Sequence, residues 1–247
     1  MSAVTFTRIP PRRSTTRAAT WWGRAWVRAV EEAAYSEGDL HTARAISRSG
    51  AIGGITVDRG SVVAACYDRS EVWSVGGSVP ELDPISRRAF VDVVAGESGH
   101  LASLLSGELP YRLVEQSEEA GVELLPYGGE LGSSCPCEAW VDPCVHALAV
   151  LLQVAWLVDG DPWVLLRLRG LPPEDLQAEL AALADAELAD GELADAELAD
   201  ADRAVAGAAA HDGDLGGDLA AAVDAAERAA RVLALADDPN AEIAHLV

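Results

Sequence analysis

The chain has 247 residues, half of them hydrophobic, a formal net charge of −22, and 18 basic residues that are all arginine. This is enough for one large domain or two small ones with a sizeable core, and no apolar run reaches the roughly 18 residues of a membrane span. From Leu171 onward 19 acids face three arginines, a balance of −16, so the first 170 residues carry only −6 and the acidity belongs mainly to the C-terminal part.

The N-terminus, MSAVTFTRIPPRRSTTRAATWWGRAW, has arginines but no apolar segment of the secretory kind. That predicts a cytoplasmic protein in a reducing setting, where clustered cysteines point to metal or catalysis rather than disulfides. Residues 1–19 read as a flexible basic arm. Arg8, Arg12, Arg13, Arg17, Arg24 and Arg28 all precede the first acid, Glu31, and Trp21, Trp22 and Trp26 are interleaved with them. One reading is phosphate contact with tryptophans stacking on bases. The plainer reading is a basic terminus followed by a core-facing aromatic stripe, because binding must overcome the global negative potential.

The first helix is expected over Thr20–Gly38, with Trp22, Trp26, Ala29 and Ala33 on one face. AIGGITVDRGSVVAACYD predicts a hairpin turning at Asp58-Arg59-Gly60, and EVWSV a third strand. DPISRRAFVDVVAG has Asp83 as a cap and Pro84 in the first turn of a helix. GHLASLLSG and LPYRLVEQSEEAG are further helices, and VELLPY (Val122–Tyr127) is expected to be a short strand. After Pro143 an apolar helix runs to about Val158, and Asp161-Pro162 opens another. Leu171-Pro172-Pro173 marks a change of composition, placed as the boundary between a domain over 20–170 and an acidic tail over 171–247. Within the tail, the pentads of Ala181–Asp200 suit a solvated helix whose leucines form no stripe, and four pentads are too few for a β-solenoid. DLAAAVDAAERAARVLALADD has the better amphipathic face. The fold class that results is α+β, a small antiparallel sheet with helices and an acidic helical tail.

The stretch CPCEAWVDPCVH, residues 135–146, holds three of the four cysteines and one of the five histidines. Cys135, Cys137, Cys144 and His146 supply the three thiolates and one imidazole of a tetrahedral structural zinc site, and the six residues between the pairs suffice for a tight reversal. Positions two apart on a helix lie about 200° apart, so Cys144 and His146 cannot both sit in regular helix and hold one ion. Cys144 is therefore placed just before the helix, His146 in its first turn, and Cys135 and Cys137 on the strand or turn before it. A cysteine–histidine nucleophile lacks an identifiable orienting partner and oxyanion site. Cys66 reads as an inert core residue, and His41, His100, His211 and His245 as surface or local hydrogen-bonding groups. No P-loop, nucleophile elbow or H-E-x-x-H is present, so no enzymatic activity is expected.

Cys-x-Cys, six residues, then Cys-x-His resembles the SWIM-type zinc finger. SCPCEAWVDPCVHALAVLL followed by DGDPWVLLRLRG is similar to bacterial SWIM proteins, as are WWGRAWV and GELPYRLVEQSEEAGVELLP, so the likeness spans most of residues 20–170 and omits the tail. The resemblance implies a ββα zinc module (about 122–158) that binds DNA or protein, with one zinc on Cys135, Cys137, Cys144 and His146. It also implies a Swi/Snf-type helicase as partner. Val145 stands where the family often has a basic residue. With the acidity, that favours a non-catalytic module acting through protein–protein contacts, the alternative being direct nucleic-acid binding by the finger and N-terminal arginines.

Overall fold

The computed structural model describes residues 3–13, 18–69, 71–186, 188–189, 203, 221–226 and 228. The chain divides into two compact units, Met1–Ala184 and Asp185–Val247. The first is an α+β domain built on a five-stranded antiparallel sheet in the order β1-β2-β3-β4-β5.

The central hairpin is as expected. β2 (Ile52–Asp58) and β3 (Ser61–Asp68) meet at a tight turn whose Gly60 has φ 63°, a conformation that costs glycine nothing. β4 (Glu71–Ser78) continues the meander. Alternation sends Ile55, Val57, Val62, Ala64, Cys66 and Val75 into the core, while Val63, Tyr67 and Val72 face outward. Two edge strands complete the sheet. The N-terminal segment, expected to be a flexible arm, contributes β1 (Val4–Phe6), which pairs with Val57, Thr56 and Ile55 of β2. Beyond it, Arg8 donates to the Gly50 carbonyl, and the Arg12 guanidinium lies 4.6 Å from the Trp156 ring centroid. Three residues are too few for a strand pattern to show. At the other edge, β5 (Gly132–Ser134) pairs with β4. The strand expected over Val122–Tyr127 is not formed. Val122 and Leu124 are buried there, but the Glu123 carbonyl bonds the Arg169 guanidinium instead of a ladder partner.

The helix expected over Thr20–Gly38 is two helices. α1 (Trp21–Ala33) is capped by Thr20, and Ser36 starts α2 (Glu37–Ser49) by accepting from the Asp39 N–H. Gly38 lies inside α2, which ends instead at Gly50 with φ 77°. α2 buries only Leu40, Ala43 and Ser47, too thin a stripe to read as a helix. α3 (Pro84–Gly96) begins at the Asp83 cap, and α4 (Ser98–Leu105) and α5 (Tyr111–Glu119) follow.

α6 (Val145–Gly160) is the centre of the core. Every position from His146 to Ala155 is buried, and it packs against α1, α2 and β4. Two tryptophans of α1 are hydrogen-bonded to it: the Trp22 indole donates to Val158 O at 2.9 Å and the Trp26 indole to Leu151 O at 3.1 Å. At the far end of α6, Asp159 accepts from the Ala19 and Thr20 N–H groups and the Thr20 hydroxyl, at 2.7–3.0 Å. Burial works against this carboxylate, yet those donors and Arg24 hold its pKa below the usual range. Asp159→Ala is expected to cost about 1–3 kcal/mol at neutral pH, since it removes a charged acceptor from three donors. A carboxyl lowered by folding stabilises above its unfolded pKa of about 4 and loses that contribution as pH falls through its folded value. The wild-type advantage in urea unfolding should therefore be full at pH 7 and shrink below pH 4.

α7 (Pro162–Leu168) starts at the Asp161 cap as expected. Packing does not stop where the composition changes. Leu171 and Leu176 are fully buried, residues 173–186 are helical, and Asp175 and Glu179 both pair with Arg87 of α3. In the second unit 221–226 is helical. Most of the pentads and of the second tail helix, with Arg17, His211 and His245, lie outside the described residues.

Candidate metal centre

β5 delivers the chain to Cys135, a loop over 136–143 reverses it, and α6 begins immediately after. Cys144 is the N-cap of α6, with its sulfur 3.5 Å from the Ala147 N–H, and His146 sits in the first turn. This is the placement that the two-residue spacing requires. Cys135 and Cys137 lie in the turn after β5, half-buried against the core, whereas Cys144 and His146 are buried.

The four side chains converge. One donor atom from each of Cys135, Cys137, Cys144 and His146 lies within 4.8 Å of all the others, and Cys135 Sγ is 3.9 Å from His146 Nδ1. In a tetrahedral zinc site with bonds of 2.0–2.3 Å the donors lie about 3.5–3.8 Å apart, so the set can close around one metal ion with small adjustments. The thiols also form one electrostatic unit. Burial pushes Cys135 up to about 12 and raises Cys144 as well. Burial opposes ionisation of Cys137 too, but the Ala139 N–H and the side chains of His146, Cys144 and Cys135 outweigh it and bring this thiol down to about 7.

Groups far off in sequence complete the surroundings. His146 Nε2 is 3.4 Å from Asp68 Oδ2, at the end of β3, so the imidazole points Nδ1 at the cysteines and Nε2 at a carboxylate. Such a carboxylate selects the tautomer that leaves Nδ1 free to bind metal and makes it a better donor. Trp73 of β4 lies over the same imidazole, ring centroids 6.1 Å apart and tilted by 32°. Cys66 is fully buried beside the cluster, and burial, followed by the charges of Asp68, Cys144 and Cys137, pushes its thiol up to about 11. It remains an apolar core group, as read from its strand. Asp68→Asn is expected to weaken metal binding roughly tenfold or more in a chelator competition. Unchanged affinity would leave Asp68 no part in orienting the ligand.

Other candidate residues are placed elsewhere. Trp22 and Trp26 are buried and face α6, so they offer no surface to a base, and Trp21 is half-buried with its indole on the Leu109 carbonyl. His100 is a local hydrogen-bonding group but a buried one, paired with Gln116 at 2.6 Å.

The fold and the cluster together define an α+β protein with a Cys3His knuckle able to hold one metal ion, placed at the start of its central helix. Over 168 residues the chain is 31% identical to the Uncharacterized protein Rv2102 of Mycobacterium tuberculosis (strain ATCC 25618 / H37Rv), a stretch amounting to 67% of this chain and 60% of that protein. The match thus spans about three fifths of the relative's length. No family profile matches the chain, and no solved structure matches it. Among the described residues no helix is long and apolar enough to cross a membrane.

Proposed function

We propose that the chain is a zinc-binding, non-catalytic interaction module of SWIM type, accessory to a Swi/Snf-type helicase or a DNA-associated complex through protein–protein contacts. The observation that carries this reading is the convergence of three thiols and one imidazole on a single point. Soft thiolates with one imidazole in a tetrahedral set favour zinc, and four protein ligands leave no position for a reacting water. The zinc is then structural. It holds the β5–α6 junction, and the surface around that junction meets the partner. The Cys-x-Cys…Cys-x-His order and the flanking segments support the SWIM assignment, and with it a helicase-associated partner and a cytoplasmic setting.

Direct nucleic-acid binding is the weaker reading. It needs exposed tryptophans beside the N-terminal arginines, and two of the three are buried. Arg8 and Arg12 also have contacts within the domain.

The test is the metal content of the purified protein, wild type beside a Cys135→Ser/His146→Ala double variant, followed by pull-down with the wild type. About one zinc per chain, lost in the variant, is expected. A folded wild type without zinc would overturn the zinc reading. Steeply salt-dependent DNA affinity that falls when Arg8 and Arg12 are replaced would favour the nucleic-acid alternative.

A further inference from the structure

The loop between the two ligand pairs carries the most exposed tryptophan of the domain. Trp140 is 81% exposed, and its ring meets Tyr35, itself 66% exposed, edge-on at a centroid distance of 4.9 Å and an interplanar angle of 77°. Tyr35 belongs to the short connection between α1 and α2, so two segments about a hundred residues apart in sequence present a joint aromatic surface. Core packing does not explain either ring, because neither is covered. Tryptophan and tyrosine are enriched among the residues that carry most of an interface's binding energy, so a contacting pair left in water is a place to look for one. The anchoring is specific here: Cys137 precedes Trp140 by three residues and Cys144 follows by four, so a metal on those sulfurs fixes the loop at both ends. A ring held in place before binding loses little freedom on binding.

The charges on the two segments that carry the pair choose the occupant. Residues 31–39 contain Glu31, Glu32, Glu37 and Asp39 and no base, and residues 135–143 contain Glu138 and Asp142 and no base. Arg44 answers one of these acids, Glu31. An electron-rich aromatic pair on segments whose charged residues are all acids attracts guanidinium and ammonium groups and repels phosphates.

We propose that the Trp140–Tyr35 pair, with Glu138 and Glu37 each two residues from one of its rings, is a docking face for an arginine- or lysine-rich segment of a protein partner. The inference deepens the interaction-module reading by placing the contact on the knuckle loop and giving the partner's chemistry. Arginine is favoured over lysine, since its planar guanidinium stacks on the rings while its N–H groups reach the carboxylates. The same features disfavour single-stranded nucleic acid, whose bases suit the rings but whose phosphates meet the acids.

The experiment is fluorescence anisotropy with fluorescein-labelled octa-arginine, octa-lysine and oligo-dT as probes. The proteins are the full chain and its Trp140→Ala, Tyr35→Ala, Glu138→Gln and Tyr111→Ala variants. Tyr111 is an equally exposed aromatic on α5 and serves as the control, since an acidic protein attracts any cationic peptide. Octa-arginine should bind the wild type more tightly than octa-lysine. Trp140→Ala should weaken it roughly fivefold to thirtyfold and Tyr35→Ala and Glu138→Gln by smaller factors, with Tyr111→Ala unchanged. Equal affinity of Trp140→Ala and wild type would overturn the face, as would a Trp140 dependence seen only with oligo-dT. Zinc is measured on the same preparations. Zinc present without Trp140 dependence rejects the face alone, and zinc absent rejects the metal reading, while the face is judged on Trp140 dependence in either case.

Discussion

Stripping the metal from the purified protein with a strong chelator is expected to lower its thermal midpoint by roughly 10 °C or more. The domain has an extensive core of its own, so a metal on the Cys3His set would act as a ligand of a largely folded state. A ligand present at about a thousand times its dissociation constant stabilises by about 4 kcal/mol, which shifts the midpoint of a domain this size by roughly 2–4 °C per kcal/mol. Cys144→Ser should lose the metal and reproduce the loss, and adding zinc back should rescue the stripped wild type but not the variant. The melt of each form, with metal content measured alongside, decides the matter. A variant that kept both metal and midpoint would show that Cys144 is not a ligand. Proteolysis should locate the effect, with the stripped protein cut first between Gly132 and Pro143, where the chain has a three-residue strand and an exposed loop to hold it.

Trp26→Ala is expected to be as damaging by a different route. The side chain is fully buried, and truncation removes its packing and leaves a cavity, at a cost of about 3–5 kcal/mol. Its indole N–H also holds α1 to α6 at Leu151. Trp140→Ala removes the same side chain from a position 81% exposed and should change stability by less than about 0.5 kcal/mol. The contrast in urea midpoints separates the tryptophan that builds the domain from the one left for a partner. Similar costs for the two would mean that the knuckle loop packs more tightly than its exposure indicates.

The elements legible in the sequence were those with their own punctuation. Asp83-Pro84 and Asp161-Pro162 each announce a helix, and Asp58-Arg59-Gly60 announces the hairpin. What was not legible depends on distant partners. β1 is a strand because β2 offers it an edge, while Val122–Tyr127 finds no ladder partner and its Glu123 carbonyl is taken by Arg169, over forty residues away. α2 hides because Ser36 recaps the chain soon after α1 ends and so little of the helix is buried. The same division holds at the metal centre. Its four candidate ligands fall within twelve residues and constrain one another's positions. Asp68 and Trp73 reach the imidazole only because β3 and β4 run beside α6, and no local spacing records that.

Cys144 has a double engagement. Its sulfur is one corner of the Cys3His set and also the acceptor that caps the central helix, a position usually held by serine, threonine, asparagine or aspartate. Oxidation of that one atom to a sulfenic or sulfinic acid would remove a ligand and alter the cap in a single chemical event. The half-buried Cys135 and Cys137 stand nearer to solvent than Cys144, which is 4% exposed. An oxidant arriving from outside would therefore meet the Cys135–Cys137 side of the knuckle before the sulfur on which the central helix begins.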